Sequence, residues 1–172
     1  MRNVLLASLL TVGALTAGTA LAQESKPVGL SAKIGLFWPG NSDARDAGRT
    51  WFSFGLEYKI GNIKFSSESP GYSSAYSISI DYLTKGDFRN TPVLLNYIGR
   101  KDNMYYIAGI GVGFTKVRVN TTETSSGTDL AYQLGIGYDF NQGSTPMFVE
   151  GKYIGSGESR LNGFAVFVGV RF

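Results

Sequence analysis

Tyr106-Ile107-Ala108-Gly109-Ile110-Gly111-Val112-Gly113-Phe114-Thr115 puts Tyr106, Ala108, Ile110, Val112 and Phe114 on one parity and Gly109, Gly111, Gly113 and Thr115 on the other. Successive side chains of an extended chain point to opposite faces, so this run is a strand with one bulky apolar face and one glycine-lined face. Its glycines superficially match a phosphate-binding loop, but they recur at period two and no helix follows them. The pattern returns along the chain. Leu30, Ala32, Ile34, Leu36 and Trp38 oppose Ser31, Lys33 and Gly35, and Phe52, Phe54, Leu56 and Tyr58 oppose Ser53, Gly55 and Glu57. Tyr76, Ile78, Ile80 and Tyr82 oppose Ser77, Ser79 and Asp81, and a shorter run sets Val93, Leu95 and Tyr97 against Asn96. Leu130 through Tyr138, Met147 through Tyr153 and Phe164 through Phe172 complete a set of eight strands, rich in aromatic and β-branched residues.

Turn chemistry separates the strands: Pro39-Gly40-Asn41-Ser42-Asp43, Lys85-Gly86-Asp87, Arg100-Lys101-Asp102-Asn103, Asn120 through Gly127, Asn141-Gln142-Gly143 and Gly155 through Asn162. No proline falls in the middle of an expected strand. Residues 59–74 leave a boundary open, because Gly61-Asn62 reads as a turn while Ile63-Lys64-Phe65 reads as more strand. The chain of 172 residues has room for one domain. Residues 1–22 carry Arg2, an apolar run from Val4 to Leu15 and Ala20-Leu21-Ala22, the three parts of a secretory signal peptide, so cleavage is expected after Ala22 and a barrel domain over 23–172.

The sequence contains no Cys and no His, which removes disulfides, thiolate chemistry, the usual zinc ligands and His-based acid–base catalysis. The net charge of +3 is scattered, so no nucleic-acid partner is expected. Alternation alone does not say which face points outward. A soluble lipocalin-like barrel would need a well-hydrated outer face, whereas the less apolar face here is mostly Gly, Ser and Ala, which suits a crowded interior. The bulky face lacks charge over its strand centres and ends in Trp38, Tyr58, Tyr82, Tyr97, Tyr106, Tyr138 and Tyr153, as a bilayer interface selects. The expected fold is an all-β, eight-stranded, antiparallel up-and-down transmembrane β-barrel, because a closed sheet is the only strand arrangement that pairs every backbone group in lipid.

By this pattern the chain resembles the small eight-stranded outer-membrane barrels of Gram-negative bacteria, of the OmpX/Ail and OmpW-like kind. Its most specific element is the final strand, where Phe164, Val166, Val168, Val170 and Phe172 alternate up to a terminal Phe. The resemblance implies that these residues form the sorting signal read by the outer-membrane assembly machinery, and that the chain resides in the outer membrane beside lipid and lipopolysaccharide. Lipid A palmitoyltransferases and deacylases of similar shape use a His as acid or base, and that resemblance fails here for want of a His. With both ends in the periplasm, residues 39–49, 84–91, 116–128 and 155–162 would be outer loops, and 99–103 and 141–146 shorter inner turns.

The inward face would carry Lys33, Glu57, Asp81, Glu150, Lys152 and Arg171, expected to pair as an internal charge network that plugs the barrel; a polar binding or catalytic pocket is the functional alternative. Arg49, Lys85, Arg89, Lys116, Arg118 and Arg160, with Arg45, fall at the outer rim, where they would meet lipopolysaccharide phosphates or serve only as solubilising charge. Asp43, Arg45 and Asp46 form a charged loop without the further spaced ligands of a metal site. Asn120-Thr121-Thr122 fits a glycosylation pattern and marks an exposed loop. The expectation is therefore a monomeric structural or adhesion-type surface protein with no catalytic residues, cofactor or metal. A narrow channel for small or apolar molecules, OmpW-like, and a secreted soluble lipocalin-like barrel are the alternatives.

Overall fold

The computed structural model describes residues 29–63, 71–118, 124–140 and 146–172; the expected leader and the Asn120-Thr121-Thr122 site lie outside them. Eight strands follow in order: β1 (Leu30–Pro39), β2 (Trp51–Ile63), β3 (Tyr72–Lys85), β4 (Phe88–Lys101), β5 (Met104–Arg118), β6 (Thr124–Asp139), β7 (Met147–Ser156) and β8 (Gly163–Arg171). Each pairs antiparallel with the next, and β8 returns to β1 through Lys33↔Gly169, Ile34↔Val168 and Leu36↔Val166. Closure leaves no free sheet edge. A short helix, α1 (Ser42–Asp46), and a 3-10 turn, Ser159–Leu161, decorate the end opposite the chain termini. That end is called the loop end below.

Parity decides the faces as expected. Ile34, Ile110 and Val168 are 61%, 59% and 48% exposed, whereas Lys33 and Glu57 are buried. Phe54, Leu56, Ile78, Leu134, Ile136 and Val166 continue a contiguous outward apolar belt, far more than a water-facing barrel presents. Trp38, Tyr82 and Tyr153 border the belt towards the loop end, and Tyr58, Tyr106 and Tyr138 border it towards the termini. This arrangement is the reverse of the soluble-barrel alternative.

Two expectations need correction, and one open boundary gains a definite reading. The strands run to as many as 16 residues, because backbone pairing continues after the hydrophobic alternation stops: β5 and β6 stay in register out to Arg118↔Thr124. The connections expected at 84–91 and 116–128 therefore shrink to Gly86–Asp87 and to residues 119–123. Second, Pro92 does lie within a strand. It lacks an N–H, and the β3–β4 ladder skips from Ile80↔Val93 to Leu83↔Asn90 there, while Pro92 stays in register with Gly113 on β5. In the stretch left open, β2 continues through Gly61-Asn62 to Ile63, with a register shift between Lys59 and Gly61.

The inward face holds more large apolar groups than the glycine and serine pattern suggests. Phe37, Trp51, Leu83, Phe88, Ile154 and Phe167 cluster at the loop end, and Ala44 of α1 and Leu161 of the 3-10 turn fold down onto them. Trp51 is central to this plug, with its ring centroid 5.3 Å from that of Phe37 and 5.8 Å from that of Phe88, and its indole N–H donates to Gly48 O at 2.8 Å. The outward face gives the sharpest test of the assignment. Val166→Arg should destabilise the barrel refolded in lipid vesicles by about 2–4 kcal/mol in urea titrations. Ser79→Arg, on the inward face, should fail by overcrowding, and do so equally in detergent micelles.

Candidate functional site: the lumen and the loop-end rim

Below the plug, five of the six predicted inward charges meet. Lys33 projects from β1 and its Nζ lies 3.0 Å from Glu150 Oε1, 3.5 Å from Asp81 Oδ1 and 3.9 Å from Glu57 Oε2. Lys152 pairs with Asp81, lies 3.5 Å from Glu150 and donates to Gln133 Oε1 at 2.8 Å. Gln133 donates onward to Asn96 Oδ1 at 2.7 Å, and Asn96 donates to Ser77 and Ser79 at 3.2 and 3.0 Å. Residues from β1, β2, β3, β4, β6 and β7 thus converge at one level of the lumen. Phe167 closes it from β8, with the Lys33 and Lys152 ammonium groups 5.2 and 4.8 Å from its ring centroid.

The wall makes room for this cluster. A Cβ at Gly55, beside Asp81 in the β2–β3 register, would press on the Asp81 carboxylate and come 2.9 Å from Lys33 Cε. At Gly137 a Cβ would fall inside the Tyr105 ring, and Tyr105 must lie there for its hydroxyl to donate to Glu150 Oε2 at 3.2 Å.

Arg171 stands apart from these five. Its partner is Asp139, with Nη2 3.1 Å from Oδ1, and its Nη1 donates to Ser31 Oγ at 3.3 Å. Arg100 pairs with the other oxygen of Asp139. Both guanidinium groups lie over the Tyr105 ring, at 5.0 and 5.1 Å, and Tyr105 in turn donates to Glu150 of the central network. The reason is height: Arg171 is the last residue of β8, in register with Ser31, below the level of Lys33. A vestibule of about 420 Å³ opens here, with Lys59, Arg100, Asp139 and Arg171 in its wall, and Glu57 is the member of the network that reaches it. Arg100 and Asp139 are charged site residues that sequence reasoning missed, as it missed the roles of Asn96, Gln133 and Tyr105 in the network. Their signal was parity, since Asp139 shares that of Gln133 and Gly137.

At the rim the predicted cations divide. Arg118 is paired with Asp87 across the β3–β4 turn. Arg160 grips Glu158 with Nε at 2.8 Å from Oε1 and Nη2 at 2.7 Å from Oε2. Arg49, Lys85, Arg89 and Lys116 form no ion pair among the described residues. Arg89 and Lys116 are direct cross-strand neighbours on the outward face, where like charges repel. Arg45 is turned back onto the backbone, donating to Pro39 O at 2.9 Å and Gly40 O at 2.8 Å. No cluster of acidic residues suited to a metal occurs among the described residues. On β8, Phe164, Val166 and Val168 are outward and exposed, Val170 half-exposed, and Phe172 is tied to β1 by donating to Leu30 O at 2.7 Å and accepting from Gly29 at 2.9 Å.

Two outcomes follow. Replacing Lys152 with Met leaves Asp81 and Glu150 short of a cation, and should cost about 3–5 kcal/mol in unfolding titrations; adding Asp81→Asn should recover part of it. Hydrogen bonding to Arg160 holds the Glu158 carboxyl below its ordinary value. The pair's contribution is therefore present above the ordinary carboxylate range and lost as pH falls through the lowered Glu158 value. Carboxyl NMR titration should show Glu158 reverting towards ordinary in Arg160→Gln.

A family model described as outer membrane protein beta-barrel domain matches residues 7–172. No curated protein matches. Among solved structures, the Yersinia pestis outer membrane protein Ail in a phospholipid bilayer nanodisc is similar at 18% identity and a TM-score of 0.46, over 83% of this chain and 98% of Ail. The outer membrane enzyme PagL is similar at 12% identity and a TM-score of 0.51, over 83% of this chain and 98% of PagL. The N-terminal barrel of Pseudomonas aeruginosa OprF is similar at 8% identity and a TM-score of 0.48, over 86% and 100%. At these identities the likeness is one of fold. The family model spans nearly the whole sequence, and the outward apolar belt agrees with it: the chain belongs to the outer membrane protein β-barrel family.

Proposed function

We propose that this protein is a monomeric, non-catalytic outer-membrane barrel whose lumen is filled and whose loop end faces outward as an interaction surface. The carrying observation is the double obstruction of the lumen. The Lys33, Glu57, Asp81, Glu150 and Lys152 network crosses it at mid-height, and the plug around Trp51 and Phe167 fills the space above. A solute entering the vestibule from the termini end meets both. That supports a surface role over the narrow-channel alternative, because opening a path would leave paired charges unpaired.

The loop end suits contact with a partner or with anionic glycolipid. Its connections are not long free loops: α1 and the 3-10 turn are anchored through buried Ala44 and Leu161, and β5–β6 extends as a paired ribbon to Arg118↔Thr124. A surface of this kind loses little entropy on binding. In this reading Arg49, Lys85, Arg89 and Lys116 meet lipopolysaccharide phosphates, with Arg118 and Arg160 secondary because Asp87 and Glu158 already engage them. The neighbouring cations Arg89 and Lys116 support it, since a phosphate between them would turn repulsion into two charge-assisted contacts. The assembly machinery would read Phe164, Val166, Val168, Val170 and Phe172 before closure, after cleavage of the leader at residue 22.

Planar-bilayer recording distinguishes this from a channel. The full chain, inserted and confirmed folded by its heat-dependent gel mobility, should give no single-channel steps; reproducible steps of one size would transfer the protein to the channel reading.

A further inference from the structure

The outward belt is not uniform. On the β6–β7–β8 wall, Gly151 lies between Ile136 and Val166 in the register, and a Cβ built on it would meet nothing within 4 Å. Gly151 therefore opens a notch in a wall otherwise made of branched and aromatic side chains. The notch belongs to an apolar groove of about 610 Å³ that runs from Tyr106, at the termini end of the belt, to Trp38 and Phe164, at its loop end. Its polar lining is slight, so it suits a hydrocarbon chain and nothing that needs hydrogen bonds.

Directly beyond Trp38 and Phe164 the same two rings form one wall of a second cleft, of about 640 Å³, whose other wall is α1 and the residues around it. Arg45, Arg49 and Asp46 line it, leaving one cation in excess. Arg49 is exposed and unpaired among the described residues, while Arg45 is fixed over the Pro39 and Gly40 carbonyls. An apolar slot thus continues past an aromatic border into a guanidinium-bearing cleft. The sequence of environments is that of an amphiphile with an acyl chain and an anionic head.

The geometry points to a specific binding site on this face for one phosphorylated outer-leaflet glycolipid, an acyl chain lying along Gly151 and a head phosphate on Arg49. The choice of leaflet rests on the orientation proposed above. A second copy of the chain fits less well, because the lipid-facing strand positions between the aromatic borders carry no Asp or Glu to offer Arg49. The site differs from the Arg89–Lys116 contact at the loop end of β4 and β5: the apolar groove of about 450 Å³ lower on that wall stops at Leu95 and Ile110 and does not reach those two cations.

The test uses the full chain in phosphatidylcholine nanodiscs doped with equal low fractions of lipid A and phosphatidylglycerol, with native mass spectrometry counting retained lipid. Wild type should keep one lipid A in preference to phosphatidylglycerol. Gly151→Phe, which fills the notch without meeting a neighbouring atom at Cβ, and Arg49→Gln should each lower retention about tenfold. Arg89→Gln should not. Gly151→Leu serves as the smaller filler if Gly151→Phe loses its heat-shifted mobility. Unchanged lipid A retention in the folded Gly151 and Arg49 variants would overturn the site. Equal retention of phosphatidylglycerol would overturn the glycolipid assignment, and a dimer that Gly151→Phe abolishes would give the notch to a second copy. Failure of wild type to insert at all would instead strike the membrane reading, and heat-dependent mobility reports that separately.

Discussion

Within hydrocarbon no water is available to an unpaired peptide group, and each one left open costs several kcal/mol. The return of β8 to β1 answers that constraint, and the rest of the molecule depends on it. Once the sheet is closed, every residue is committed by parity to the belt or to the lumen. A shift of one residue anywhere would carry Lys33 or Asp81 into lipid and Ile34 or Ile80 inside. The gap in the β3–β4 ladder beside Pro92 lies opposite Asp81 and Tyr82, and the strand keeps its register with β5 across it.

Closure creates a narrow interior that must then be filled. Gly55, Gly135, Gly137 and Gly169 make room for long side chains that the adjacent strands send into the lumen, so the wall and its contents are matched. The contents come in three layers. Arg100, Asp139 and Arg171 line the mouth near the termini, the lysine and carboxylate network occupies the middle, and aromatic and aliphatic groups seal the loop end. Such charges contribute little net stability over apolar filling, but each becomes expensive once its partner is removed. The network therefore specifies one packing of the lumen more than it strengthens the barrel.

At the loop end the same economy of free chain holds. The strands continue past the belt as hydrogen-bonded ribbons, where both water and the ladder can satisfy the backbone, so the described residues of this end are largely tied down. Helix α1 and the 3-10 turn each place one apolar side chain into the plug and leave their charges outside. This gives the rim a fixed set of cations, some paired internally and some directed outward, against an aromatic border.

The strand count, the outward face, the aromatic borders and several of the lumen charges were legible in the sequence, because hydrophobic period and parity are local properties of an extended chain. Lys33, Glu57, Asp81, Glu150 and Lys152 could be assigned inward one at a time. That they meet at one level, while Arg171 joins Asp139 lower down, was decided by strand register and barrel shear, which no local pattern encodes. The plug was hidden for a related reason: Phe37, Trp51 and Phe167 share the parity of polar neighbours, and only closure brings them together. Strand ends were misjudged at Phe88 to Thr91, where pairing outlasts the change in hydrophobicity. Side-chain alternation thus determined which face each residue takes, and the closed sheet alone determined which residues touch.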